Sequence, residues 1–172
     1  MTVRVDRVRD LLARLHARPR RRLTLLVGLD GTDAGGRPQL AQALSENDPH
    51  LKVVSLSQFV AEGDEGSVDW RRLRSRVLLQ LVRGSAAEFE DASGHPQHLA
   101  AGGMVLVEGL GACRRQLASS YDYRIWVERS GESRSHEVEL YLAEHAADRS
   151  ADLRADCSDL TRLRERGEFL QL

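Results

Sequence analysis

The sequence predicts an α/β fold, a three-layer αβα sandwich around a parallel sheet, and three observations lead there. Short apolar runs recur at 23–29, 53–60, 104–109 and 123–128, several of them apolar on both faces, as strands buried between two layers are. Segments with helical spacing separate these runs, so strand and helix alternate along the chain. The first run turns through four glycines in LTLLVGLDGTDAGGRPQLA (23–41) and enters a helical pattern, the outline of a strand, a phosphate-binding loop and a helix.

The elements follow in order. Val8, Leu11, Leu12 and Leu15 sit at i, i+3, i+4 and i+7, which predicts an amphipathic helix over 3–17. RPRRR (18–22) reads as a solvated linker. After the strand at 23–29, a helix begins near Pro38 with Leu40, Ala41 and Leu44 on one face. Proline suits a first helical turn because its missing N–H would be unpaired there anyway. VVSLSQFV (53–60) is expected as a second strand running into a loop. Trp70, Leu73, Val77, Leu78, Leu81 and Val82 mark a long amphipathic helix. The segment 84–103, rich in Gly, Ser, Ala, His and Pro, reads as a loop. MVLVEG (104–109) and YRIWVE (123–128) are the third and fourth strands, and 132–146 is a helix. ADLRADC (151–157) is a fifth, more polar strand, and the charged C-terminus is expected to be helical before LQL. His136 and His145, nine residues apart, are expected on the surface. Ligand crevices of parallel sheets lie at the carboxyl ends of the strands. That rule gathers the glycine loop, Ser57-Gln58 and Glu108-Gly109 at one edge.

A chain of 172 residues is expected to form a single domain over 1–172, with 1–22 as an N-terminal helix and basic linker. The net charge of −1 offers no electrostatic argument for nucleic acid or a membrane surface as partner. No apolar run approaches the roughly 20 residues of a membrane helix. Cys113 and Cys157 fall in no disulfide or metal-ligand spacing, so a reduced, cytoplasmic setting is expected. Lys52 is the only lysine among the 25 basic residues, a bias that argues against reading any single arginine as chosen for phosphate. The arginine-bearing N-terminal helix is a candidate homodimer surface.

Several segments together carry a family likeness. GLDGTDAGGRPQLAQAL, VVSLSQFV, SVDWRRLRSRVLLQLVRG, GGMVLVEGLGAC, LASSYDYRIWVERSGESR and RSADLRAD stand in the order and spacing of the uridine kinase-like branch of the P-loop kinases. That branch also holds phosphoribulokinase and pantothenate kinase relatives. The chain resembles a degenerate member of it. The resemblance implies a P-loop NTPase-like sandwich with the lid reduced or absent.

It also implies a phosphate loop of Gly31, Thr32, Asp33, Ala34, Gly35, Gly36 and Arg37. In such loops backbone N–H groups cradle the phosphates, a lysine bridges β and γ oxygens, and a Ser/Thr hydroxyl holds Mg²⁺. Here Arg37 takes the lysine position and Pro38 the hydroxyl position, so the usual metal ligand and one N–H donor are missing. Asp33 adds like charge where phosphate would lie. The family's catalytic Asp after strand two is replaced by Ser57-Gln58-Phe59, with Glu62, Asp64 and Glu65 nearby. Glu108 remains at the end of strand three and Asp69 remains in SVDW; both are catalytic candidates, Asp69 being equally suited to cap a helix. Of the lid arginines only Arg134 has a counterpart.

Lysine, hydroxyl, base and lid are thus altered together, and positioning and charge stabilisation are nearly all of phosphoryl-transfer catalysis. The expectation is a protein lacking ordinary Mg-ATP phosphotransfer. It would act by weak binding of a nucleoside, nucleotide or small phosphorylated metabolite, or through a partner. The alternative is an active, atypical ATP-dependent kinase of a nucleoside or other small hydroxylated metabolite. ATP and Mg²⁺ are cofactors only on that alternative.

Overall fold

The computed structural model describes residues 5–32, 36–60, 67–129, 131, 133–156 and 162–165. Among these residues eight strands form two sheets: β1 (Thr24–Gly31), β2 (Leu51–Ser55), β5 (Gly103–Glu108), β6 (Tyr123–Glu128), β7 (Leu153–Asp156) and β8 (Arg162–Glu165) in one, β3 (Ala87–Glu90) and β4 (Pro96–Leu99) in the other. The larger sheet runs in the order β2-β5-β1-β6-β7-β8. Its first five strands are parallel and β8 is antiparallel to β7. The connection after β1 runs to one side, toward β2, and that after β5 to the other, toward β6, which opens a crevice between their carboxyl ends.

Every residue of β1 is buried, as a central strand covered on both faces must be. One face packs α1 (Val5–Ala17) and α2 (Gly36–Asn47), with Leu11, Leu15, Leu40 and Leu44 against Val27, Leu106 and Ile125. The apolar stripe of α1 is therefore covered by its own chain, and a homodimer through this helix would have to use its other face. The His16 ring nitrogen Nε2 lies 2.9 Å from Asp48 Oδ2, joining the end of α1 to the segment just past α2.

The opposite face packs a broken helix: α3 (Trp70–Leu73), a π-helical turn Arg74–Leu78, and α4 (Leu79–Val82). Its Leu73, Val77 and Leu81 meet Leu26, Val105 and Val107 of the sheet. The short helix α5 (Arg115–Ala118) joins this layer through Leu117. Trp126 on β6 is covered by Ala147 of α7 (Ala147–Ser150), with Tyr141 and Leu142 of α6 (His136–His145) alongside. The three-layer αβα architecture expected from the sequence is present.

Four local expectations differ. The strand expected over 53–60 ends at Ser55, and Leu56–Phe59 is a 3-10 helix, because Ser55 and Gln58 form a reciprocal capping box that turns the chain. The loop expected over 84–103 contains the β3–β4 hairpin, which buries Ala87 and Leu99 on the α3–α4 layer. The helix expected at the C-terminus is a strand over Arg162–Glu165, because the open edge of β7 offers backbone partners. His145 is buried instead of exposed, edge-on to Tyr141 with ring centroids 4.9 Å apart.

Register aligns the carboxyl ends. Ser55 and Leu29 both lie opposite Glu108, and Gly31 lies opposite Val127. Just beyond, Gly109 has φ 145°, and a Cβ placed there would fall 2.7 Å from Leu56 Cβ. Gly109→Ala should therefore destabilise the fold by about 1–3 kcal/mol through backbone strain and overpacking. An unchanged urea midpoint would contradict a requirement for the close approach of Gly109 to the 3-10 turn.

Candidate functional site

A cleft of about 1540 Å³ opens at this edge of the sheet. Arg37 and Pro38 of α2 form one side, Ser55, Ser57 and Glu108 the floor, and Asp69, Trp70 and Arg71 the far wall. Arg114 and Tyr141 complete it from the segment after β5 and from α6.

Beneath the cleft lies Asp30, fully buried although it carries a carboxylate. Oδ1 accepts the N–H groups of Gly31 (2.7 Å) and Gly111 (3.0 Å). Oδ2 accepts the N–H of Cys113 (2.8 Å) and the hydroxyl of Tyr141 (2.5 Å). Burial raises its pKa above the ordinary 3.8, and the four donors, Tyr141 first, pull it partly back. The Tyr141 hydroxyl is in turn pushed well above its usual range by burial and by the charge of Asp30, so it stays a donor. Cys113 is also pushed up, by burial and then by Asp30, which leaves an inert thiol. Neither Asp30 nor Tyr141 is among the candidate site residues that the sequence motifs mark. The available signal was an acid inside an otherwise apolar buried strand, where a charge needs partners.

Of the predicted phosphate loop, Asp33, Ala34 and Gly35 lie outside the described residues, as do Glu62, Asp64 and Glu65. The flanking residues are committed internally. Gly31 N–H binds Asp30, and Thr32 N–H donates to the Val127 carbonyl at 3.0 Å. Gly36 opens α2. The guanidinium of Arg37 folds back and donates through Nη1 to the Gly31 carbonyl, while its Nε is buried without a partner.

The remaining candidates fall in two places. Glu108 stands on the cleft floor, accepting the Ser55 hydroxyl at 2.6 Å. Asp69 lines the same cleft and accepts the Arg72 N–H at 3.0 Å, the N-cap role. Arg134 is elsewhere, paired with Glu128 at 3.0 Å and Asp148 at 3.6 Å. Arg134 is not among the residues lining the cleft.

No family model matches the chain, and no curated protein matches it by sequence. Solved structures do match. One is a possible uridine kinase from Bacillus stearothermophilus, at TM-score 0.71 and 19% identity, over 88% of this chain and 98% of that one. Another is a candidate fructose transport system kinase from Silicibacter sp. TM1040, at TM-score 0.52 and 19% identity, over 88% and 95%. At this identity the likeness concerns the fold, and the fold is that of the P-loop kinases.

The raised pKa of Asp30 sets a pH dependence. A carboxyl whose folded-state pKa exceeds 3.8 contributes its full stability below 3.8 and loses it as pH rises through the folded-state value. Asp30→Asn removes that titration. The stability difference, wild type minus variant, should therefore grow as pH falls from about 7 toward about 4. Urea midpoints of both proteins across that range check this, and a flat difference would contradict it.

Proposed function

We propose that this is a uridine kinase-like protein that no longer performs ordinary Mg-ATP phosphotransfer, and that it works by holding a small ligand in the cleft or by presenting that cleft to a partner. The observation that carries the reading is Arg37. The side chain at the lysine position is engaged with its own loop, at the Gly31 carbonyl, and the next residue is a proline. A lysine ammonium is a compact charge that slips between phosphate oxygens, whereas a planar guanidinium bound to the loop fills that space.

The residues present do not fit the family's metal site. Pro38 offers no hydroxyl, and Glu108 is hydrogen-bonded to Ser55. The base position after β2 is taken by Ser57 and Gln58, whose side chains bond Ser55 instead. Arg134, the lid-flank arginine, is held by two carboxylates.

The alternative is an atypical kinase of a nucleoside or other small hydroxylated metabolite. It is favoured by one observation: Arg37, Glu108 and Asp69 line a single cleft. On that reading Arg37 leaves Gly31 to grip phosphate, and Glu108 or Asp69 meets the acceptor hydroxyl. The names of the two structural neighbours are compatible with either reading.

Titration calorimetry separates them. No magnesium-dependent ATP binding should appear in the micromolar range, and no phosphate should be released across a nucleoside panel. The double substitution Arg37→Lys with Pro38→Ser should improve ATP binding at least tenfold, since it returns the ammonium, the hydroxyl and one N–H. Tight, magnesium-dependent ATP binding by the unaltered protein would establish the alternative.

A further inference from the structure

The walls of the cleft carry more positive charge than the protein itself uses. Among the described residues, five arginines line it against three carboxylates, although the chain as a whole has a formal net charge of −1. Two of the five are committed. Arg37 binds the Gly31 carbonyl, and Arg72 binds the carbonyls of Gln58 (3.1 Å) and Glu90 (2.9 Å) and lies over Phe59. Arg71, Arg74 and Arg114 form no ion pair among the described residues.

Trp70 brings two of these three together. The Arg71 guanidinium carbon lies 4.8 Å from the centre of its ring, and that of Arg114 lies 5.4 Å from it. The two arginines come from different elements: Arg71 from the first turn of α3, Arg114 from the segment joining β5 to α5. The ring attracts both cations, and all three residues line the same cleft. Arg114 is half-buried, its Nε is enclosed without a partner, and its guanidinium donates no hydrogen bond to any described residue. Two unpaired planar forks held at one wall of a cleft match the oxygens of a phosphate or carboxylate group. On the floor, Glu108 uses one oxygen for Ser55 and has the other for a hydroxyl of the same ligand.

We propose that the cleft binds a small hydroxylated molecule bearing a phosphate or carboxylate group, and that Arg71 and Arg114, arranged by Trp70, clamp that group. This rests on the reading of the cleft as a ligand site and adds the charge of the ligand and the residues that recognise it. It requires neither ATP nor magnesium, so it stands apart from the fate of the phosphate loop.

The test is calorimetry on the full chain in EDTA with four probes: inorganic phosphate, ribose 5-phosphate, glucuronate and uncharged ribose. At least one anionic probe should bind, and ribose should bind at least tenfold more weakly than its phosphate. Preference for ribose 5-phosphate or for glucuronate identifies which anion the clamp serves. Arg114→Ala and Arg71→Ala should each weaken anion binding roughly tenfold or more, the scale of a charge-assisted hydrogen bond. Arg71 is exposed, so its variant reports even where Arg114→Ala does not fold. Absence of binding by every anionic probe would overturn the proposal, as would equal binding of ribose and ribose 5-phosphate or unchanged affinity in Arg71→Ala. Magnesium-dependent ATP binding would instead count against the loss of phosphotransfer and leave the clamp standing.

Discussion

Asp30 places a carboxylate at the carboxyl end of the central strand, where no water reaches it. Such a group is tolerated only when fully hydrogen-bonded. Its four donors come from three parts of the chain: the end of β1, the turn after β5, and α6. Satisfying one charge therefore ties together the pieces that frame the cleft. The turn bearing Gly111 and Cys113 leads directly to Arg114, and the helix bearing Tyr141 supplies another part of the cleft wall.

The same need for partners shows at the described ends of the glycine loop. In a working loop the N–H groups and a cation wait for an anion. At the ends of this loop Gly31 N–H meets Asp30, Thr32 N–H meets Val127, and Arg37 meets Gly31. Arg37 lines one side of the cleft, and positive charge also lines the opposite wall at Arg71 and Arg114, where the ring of Trp70 stands against the guanidiniums.

Much of the fold was legible because it rests on periodicity. Buried strands of a parallel sheet read as apolar runs, and α1 and α2 read from their stripes. The misreadings share a cause. The 3-10 turn at Leu56–Phe59 depends on one side-chain capping box, the β3–β4 hairpin on a helical surface to lie against, and β8 on the open edge of β7. None of these leaves a hydrophobic period in the sequence. His145 was misplaced for the same reason, since its burial comes from Tyr141 and the packing around it.

For the site, the sequence by itself determined the chemical inventory. Arg37 stands where a lysine is expected, Pro38 where a hydroxyl is expected, and Glu108 ends a central strand. Those identities decide what the loop cannot supply, because a missing hydroxyl or N–H is covalent fact. Only the tertiary structure decided where the remaining charges meet. Arg71 and Arg114 are 43 residues apart and share a ring; Asp30 and Tyr141 are 111 apart and share a proton donor and acceptor. Contacts over such separations are set by which strands lie side by side, and strand order follows from burying both faces of the sheet together, not from any local stretch of chain.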